Sequence, residues 1–153
     1  MWHHISDPPG PPDPPGPCIL VAMLKKRRSK IHGWGVFTTQ AITKNTRIID
    51  YAGELISNRE SLRREVRYIN NGRHIWCFKL TNRKVIDAGV GGNVARYINH
   101  SCRPNCYIEI KDGTIWIRAA RAIKRGEELT YDYHTDGDGL IECRCRADCQ
   151  RLL

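Results

Sequence analysis

From Ile31 onward, apolar and polar residues alternate in short runs separated by turn-forming residues, a pattern that predicts strands rather than helices. "GVFTTQAI" and "TRIIDYAGELI" are rich in strand-favouring residues, with "TKN" as the turn between them. "IWCFKL", "KVIDA", "CYIEIKDGTIWIRAARAI" and "ELTYDY" follow, and "KDG" inside the third predicts a hairpin turn. One segment breaks the period. In "SNRESLRREVRYINNG", residues 57–72, Leu62, Val66 and Ile69 recur at helical spacing, Ser57 or Asn58 can cap, and four arginines stand elsewhere around the wheel. The expected fold class is therefore mainly β (α+β), with one amphipathic basic helix that either steers an acidic partner or presents a solvated face.

Composition changes this picture at the chain's beginning. The first seventeen residues hold all but one of the eight prolines and predict an extended or disordered leader, taken here as residues 1–24 and excluded from the fold. No apolar run approaches the ~20 residues of a membrane helix, and "CILVAML" precedes its basic residues, the reverse of a signal peptide. A cytosolic or nuclear protein is expected. The net charge of +9 points to an anionic partner. Its densest run, "KKRRSK" at Lys25–Lys30, reads by default as a solvated arm, with docking on nucleic acid or a nuclear address as the functional alternative.

Seven cysteines, an odd number without an export signal, argue against a disulfide framework. Cys143, Cys145 and Cys149 place three soft ligands within seven residues, one short of the four that structural zinc takes. Cys18 and Cys77 read as free thiols. "INHSCRPNC" adds Asn99, His100, Cys102 and Cys106 in a single stretch. There an amide and an imidazole can bind a polar ligand or merely satisfy buried backbone. In "HGWGVF", Gly33 and Gly35 permit a positive φ or close backbone approach, suited to a ligand against the main chain or to an ordinary turn. Tyr131 and Tyr133 in "YDY" share one face of a strand, where packing is the bland reading.

Taken in order, "HGWGVF", "YAG", "RYINHSCRPNC", "GEELTYDY" and "CRCRADC" resemble the SET-domain protein lysine methyltransferases with a post-SET zinc tail, in a compact form similar to bacterial as well as histone-directed members. The resemblance implies a β-clip fold of small sheets with a C-terminal pseudoknot and one short inserted helix. It divides the chain into a catalytic domain at 25–136, with the helix at about 57–72, and a zinc-binding tail at 137–153. It further implies that His32, Gly33, Trp34, Tyr51, Asn99, His100 and Tyr133 bind S-adenosylmethionine, that Arg96 and Tyr97 brace the site, and that Tyr133 is the catalytic tyrosine. Tyr131 is then the position that limits methyl number, and Tyr51, Trp76 and Tyr131 wall the lysine channel. Trp76 departs from the family, which more often has tyrosine there.

One structural Zn²⁺ is implied on Cys102, Cys143, Cys145 and Cys149. The tail is one residue shorter than usual between its last two cysteines, which leaves Cys106 as the substitute for Cys102. The implied activity is methyl transfer to the lysine amine of a histone tail or another basic protein, by a monomer, with nucleosome or nucleic-acid contact through basic residues. A nuclear or chromatin location follows for a eukaryotic protein or a host-directed effector, and a cytoplasmic one otherwise. Two other classes compete: a catalytically silent SET-fold peptide-binding module, and a zinc-containing nucleic-acid-binding protein. Intact Asn99, His100 and Tyr133 disfavour the first, and the glycine and tyrosine motifs disfavour the second.

Overall fold

The structure, a computed structural model, describes residues 21–133, 142–149 and 151. Most of the proline-rich leader, Cys18 and residues 134–141 lie outside the described residues. The described chain folds as small β-sheets with one α-helix longer than a single turn. The first sheet contains β1 (Leu24–Arg28), β2 (Trp34–Thr38), β10 (Glu128–Tyr131) and β7 (Asn99–His100), in the order β1-β2-β10-β7. The second holds β3 (Arg47–Asp50), β9 (Thr114–Ala119) and β8 (Cys106–Lys111), with β9 central. The third holds β4 (Glu54–Ser57), β6 (Lys84–Asp87) and β5 (Cys77–Lys79), with β6 central.

The "KDG" turn forms as expected. Lys111 pairs with Thr114, and Asp112 and Gly113 take φ of 50° and 73°, the two positive values a two-residue type I′ hairpin demands. The alternation in β9 then buries Ile115, Ile117 and Ala119 against Ile49, Val36 and Leu129 in a core shared between sheets. The run "TRIIDYAGELI" divides into β3 and β4 at Tyr51–Gly53. A Cβ on Gly53 would stand 2.6 Å from the Asp87 carbonyl, so only glycine lets the chain cross there.

Two expectations change. The basic run is an edge strand, not a solvated arm: Leu24 inserts into the core, and Lys25 to Arg28 pair with β2 from Phe37 to Trp34. Charged side chains are compatible with a strand that has one partner, because they remain in water on either side of the sheet edge. Met23 and Leu24, at the end of the stretch assigned to the leader, already belong to this sheet's surroundings: the Met23 carbonyl accepts from the Thr39 amide at 2.7 Å.

The helix, α1 (Asn58–Asn70), is capped by Ser57, whose side chain accepts from the Glu60 amide. Its apolar stripe faces outward, however: Leu62, Val66 and Ile69 are 65%, 58% and 63% exposed. The face turned inward carries Ser61 and Tyr68, and Arg64 reaches Asp87 from the same side. Asp87 is fully buried; it accepts from Tyr68 at 2.8 Å, from Arg64 at 2.9 Å and from the Gly89 amide at 2.9 Å. This charge needs its partners more than the stripe needs burial, and it orients the helix. Among the described residues no helix is long and apolar enough to cross a membrane.

Candidate active site and metal centre

Parallel pairing of β7 with β10 sets Asn99 beside Thr130 and His100 beside Tyr131, joining two motifs about thirty residues apart. Asn99 is buried. Its amide donates to the carbonyls of Trp34 at 2.9 Å and His32 at 3.3 Å and to Glu128 Oε1 at 2.8 Å. It therefore ties the "HGWG" turn to β10. The two glycines of that turn have different duties. Gly33 sits at φ 45° with open space where a side chain would be, whereas a Cβ on Gly35 would collide with the Glu128 carboxylate. Glu128, which also accepts from the Ser29 hydroxyl at 2.9 Å, is a site residue that sequence reasoning missed. The glycine opposite it was the available signal.

His100 Nδ1 accepts from the Tyr133 amide at 3.2 Å, and Nε2 lies 3.3 Å from Cys102 Sγ. Cys102 gathers with Cys143, Cys145 and Cys149, all four sulfurs lying within 4.8 Å of one another. Its distances to Cys143 and Cys149 are each 3.7 Å. A tetrahedral tetrathiolate with Zn–S of about 2.3 Å has sulfur–sulfur edges of about 3.8 Å, so the cluster fits that ion and is far too open for a disulfide of about 2.04 Å. Cys106 is outside the cluster: it is 1% exposed in the core, its thiol donates to Asn105, and burial pushes it up to about 12. Cys77 is a half-buried free thiol. The shortened tail loop thus still reaches Cys102. Arg151 fastens it, donating to Asp132 at 3.1 Å while its carbonyl accepts from the Cys143 amide at 2.8 Å.

Five aromatic rings form a continuous series. Tyr51 lies 5.1 Å from Phe78, Phe78 5.9 Å from Tyr131, Tyr131 4.9 Å from Tyr133, and Tyr133 5.4 Å from His100. Phe78 was not singled out from the sequence, because a phenylalanine within a strand carries no signal apart from packing. Trp76 adjoins this series. Its carbonyl accepts from the Tyr51 hydroxyl at 3.0 Å, while its ring packs on Tyr97, His74 and the Arg96 guanidinium. Burial, reinforced by neighbouring tyrosines, holds the Tyr51 and Tyr131 phenols well above their ordinary range; burial does the same for Tyr133. All three remain protonated at neutral pH. The Tyr133 proton is given to the Ile98 carbonyl at 2.8 Å.

Beside the cysteine cluster, Lys30 and Ile31 face the tail across a cleft of about 650 Å³ lined by Glu142 to Ala147, Cys149 and Arg151. That volume suits a ligand the size of a nucleoside conjugate, and the cleft is flanked by the backbone leading into the "HGWG" turn. Trp34, 42% exposed, is clasped by Lys26 and Arg28, with the Lys26 amine 4.5 Å from the Tyr97 ring as well. The sequence disclosed this basic run but not that Lys26 and Arg28 stack on Trp34.

Comparison with known proteins agrees with this arrangement. The SET domain family matches residues 33–134. "Histone-lysine N-methyltransferase trr" of Drosophila melanogaster is 46% identical over 134 residues, covering 82% of this chain and 6% of that protein. "Histone-lysine N-methyltransferase 2D" of Homo sapiens is 42% identical, covering 82% of this chain and 2% of the relative. "Histone-lysine N-methyltransferase, H3 lysine-4 specific" of Emericella nidulans is 42% identical over 147 residues, covering 85% and 12%. The chain thus spans only a small part of these relatives' length. With more than half of its residues matched by the family, and its glycine turn, buried Asn99–His100 segment and tyrosine strand assembled into one site, the chain belongs to the SET domain family.

Proposed function

We propose that the chain is the catalytic domain of a protein-lysine N-methyltransferase that uses S-adenosylmethionine and acts on a histone tail or another basic protein. The observation that carries this reading is the aromatic series from Tyr51 through Phe78 and Tyr131 to Tyr133, ending on the His100 ring. A lysine side chain entering between such rings loses hydration. Its amine, ordinarily near pKa 10.4, is shifted toward the neutral, nucleophilic form. S-adenosylmethionine, when bound, supplies an electrophilic methyl group on a positively charged sulfur. His32, Gly33, Trp34, Tyr51, Asn99, His100 and Tyr133 are the residues assigned to hold it. Tyr133 has committed its proton to Ile98, so its oxygen faces a polarised methyl group as an acceptor and not as a donor. Tyr131 limits the room left for a methylated amine.

The four-cysteine cluster is assigned to one structural Zn²⁺, with no open position for chemistry. Because Cys102 adjoins His100, metal binding and completion of the cofactor pocket are coupled. The domain division proposed is a catalytic domain at 25–136 followed by the zinc tail at 137–153. The relatives' names support a nuclear, chromatin-directed role. Lys25 to Arg28, exposed and without an ion pair among the described residues, are suited to nucleosomal DNA phosphates. Incubation with labelled S-adenosylmethionine and a panel of histones, nucleosomes and nuclear extract tests the activity: label on lysine is expected, and its absence from every protein overturns the reading.

A further inference from the structure

A second cavity, of about 290 Å³, opens at the end of α1 and is lined by Arg67, Tyr68, Asn71, Arg73, His74, Trp76, Gly89 and Val90. Its lining includes two arginines and a histidine but no aspartate or glutamate. Asp87, which is bonded to the lining residues Tyr68 and Gly89, has both oxygens engaged by Arg64, Tyr68 and the Gly89 amide. Neither Arg67 nor Arg73 has an acidic partner among the described residues. Two unneutralised arginines at one cavity constitute a site of positive potential waiting for an anion.

The cavity is also built rather than incidental. Asn71 and Gly72 close the helix, their amides donating to the Arg67 and Ile69 carbonyls, with Gly72 at φ 61°. The Arg73 amide then returns to the Tyr68 carbonyl at 2.8 Å, which fixes where the Arg73 side chain starts. Gly89 admits the Tyr68 hydroxyl, since a Cβ there would lie 2.9 Å from it. The cavity adjoins the proposed channel through Trp76, whose carbonyl accepts from Tyr51, and the cofactor turn through His74, whose ring lies 5.7 Å from that of His32.

We propose that this cavity is a specificity subsite for an anionic side chain of the substrate, a carboxylate or a phosphate, near the lysine to be methylated. The proposal rests on the lysine methyltransferase reading and adds to it a requirement on flanking sequence. Arg67 and Arg73 hold the anion, Asn71 and His74 donate to it, and the indole of Trp76 excludes water from one side. A substrate with only neutral or basic neighbours leaves both guanidiniums unneutralised and is turned over less well.

The test uses the full chain and lysine-centred peptides in which each flanking position in turn is glutamate, phosphoserine or glutamine. Each peptide is followed both by methyl transfer and by fluorescence anisotropy of the labelled peptide. At one or more positions glutamate or phosphoserine should exceed glutamine by about tenfold, the equivalent of one charge-assisted hydrogen bond. Arg73→Gln and the double variant Arg67→Gln/Arg73→Gln should erase that preference, whereas Lys111→Gln, on the β8–β9 hairpin, should preserve it. Which acidic group wins identifies the source of the anion. A flat profile, or a preference that survives in the double variant, overturns the subsite. Absence of transfer to every peptide counts instead against the methyltransferase reading, and the anisotropy series still decides the subsite.

Discussion

Asn105 was not selected as a functional residue, yet it joins the segment carrying Asn99 and His100 to the strand carrying the tyrosines. It is 2% exposed. Its amide donates to the Glu128 carbonyl at 2.7 Å and to Glu127 Oε1 at 3.1 Å, and its carbonyl oxygen accepts from the Thr130 amide at 2.9 Å. Asn105→Ala removes these three contacts and the weaker bond from the Cys106 thiol. Glu127 retains Arg121 and the Lys124 amide, so its loss is small. The Glu128 carbonyl and Thr130 amide are left unsatisfied, and a buried orphan group costs about 1–3 kcal/mol. The expected destabilisation is roughly 3–5 kcal/mol, or a fall in Tm of about 10 °C for a chain of this size. Urea unfolding of the zinc-loaded protein measures it, and hydrogen exchange should show the Thr130 amide losing protection beyond the global change. A cost under about 1 kcal/mol, with Thr130 still protected, would refute the reasoning by showing that other groups satisfy this strand.

Other outcomes follow from the same geometry. The protein should copurify with about one Zn²⁺ per chain, and Cys143→Ser should lower both zinc content and S-adenosylmethionine affinity; loss of zinc alone would separate the tail from the cofactor pocket. Tyr131→Phe should extend a mono- or dimethylated product toward trimethylation, whereas Tyr133→Phe should abolish transfer but retain cofactor binding, both read by mass spectrometry and calorimetry. Trp76→Tyr controls for narrowing of the channel by the indole. Burial raises the Glu127 carboxyl, but Arg121, the Lys124 amide and Asn105 outweigh it and hold the group at about 2 against an ordinary 4.5. Its stabilisation is thus complete above pH 4.5 and lost as pH falls from there toward about 2, and Glu127→Gln should flatten that acid limb in a thermal-melting series.

Much of this molecule was legible in the order of its residues. The Asp112–Gly113 turn and the Ser57 cap depend on local backbone preferences, so a few adjacent residues suffice to state them. The three tail cysteines announced a metal ligand set, because thiols so closely spaced have few other uses. The choice of fourth ligand was different. Cys102 and Cys106 are equivalent in composition, and only the fold sends one to the cluster and the other, 1% exposed, into the core.

Periodicity likewise located α1 but could not orient it. Leu62, Val66 and Ile69 mark an apolar face, while the buried charge of Asp87, more than twenty residues downstream of Arg64's turn, draws the opposite face inward. Lys25 to Arg28 looked like solvated chain because strand pairing depends on a partner, β2, that no local window contains. Glu128, Phe78 and Asn105 stayed hidden for the same reason. Each gains its role from a contact with a residue remote in sequence, and such contacts exist only once the strands have paired. Sequence by itself determined which chemical groups this chain carries and which short turns and caps it forms. Tertiary structure decided which groups meet, because hydrogen-bond satisfaction and burial of charge are properties of neighbours in space.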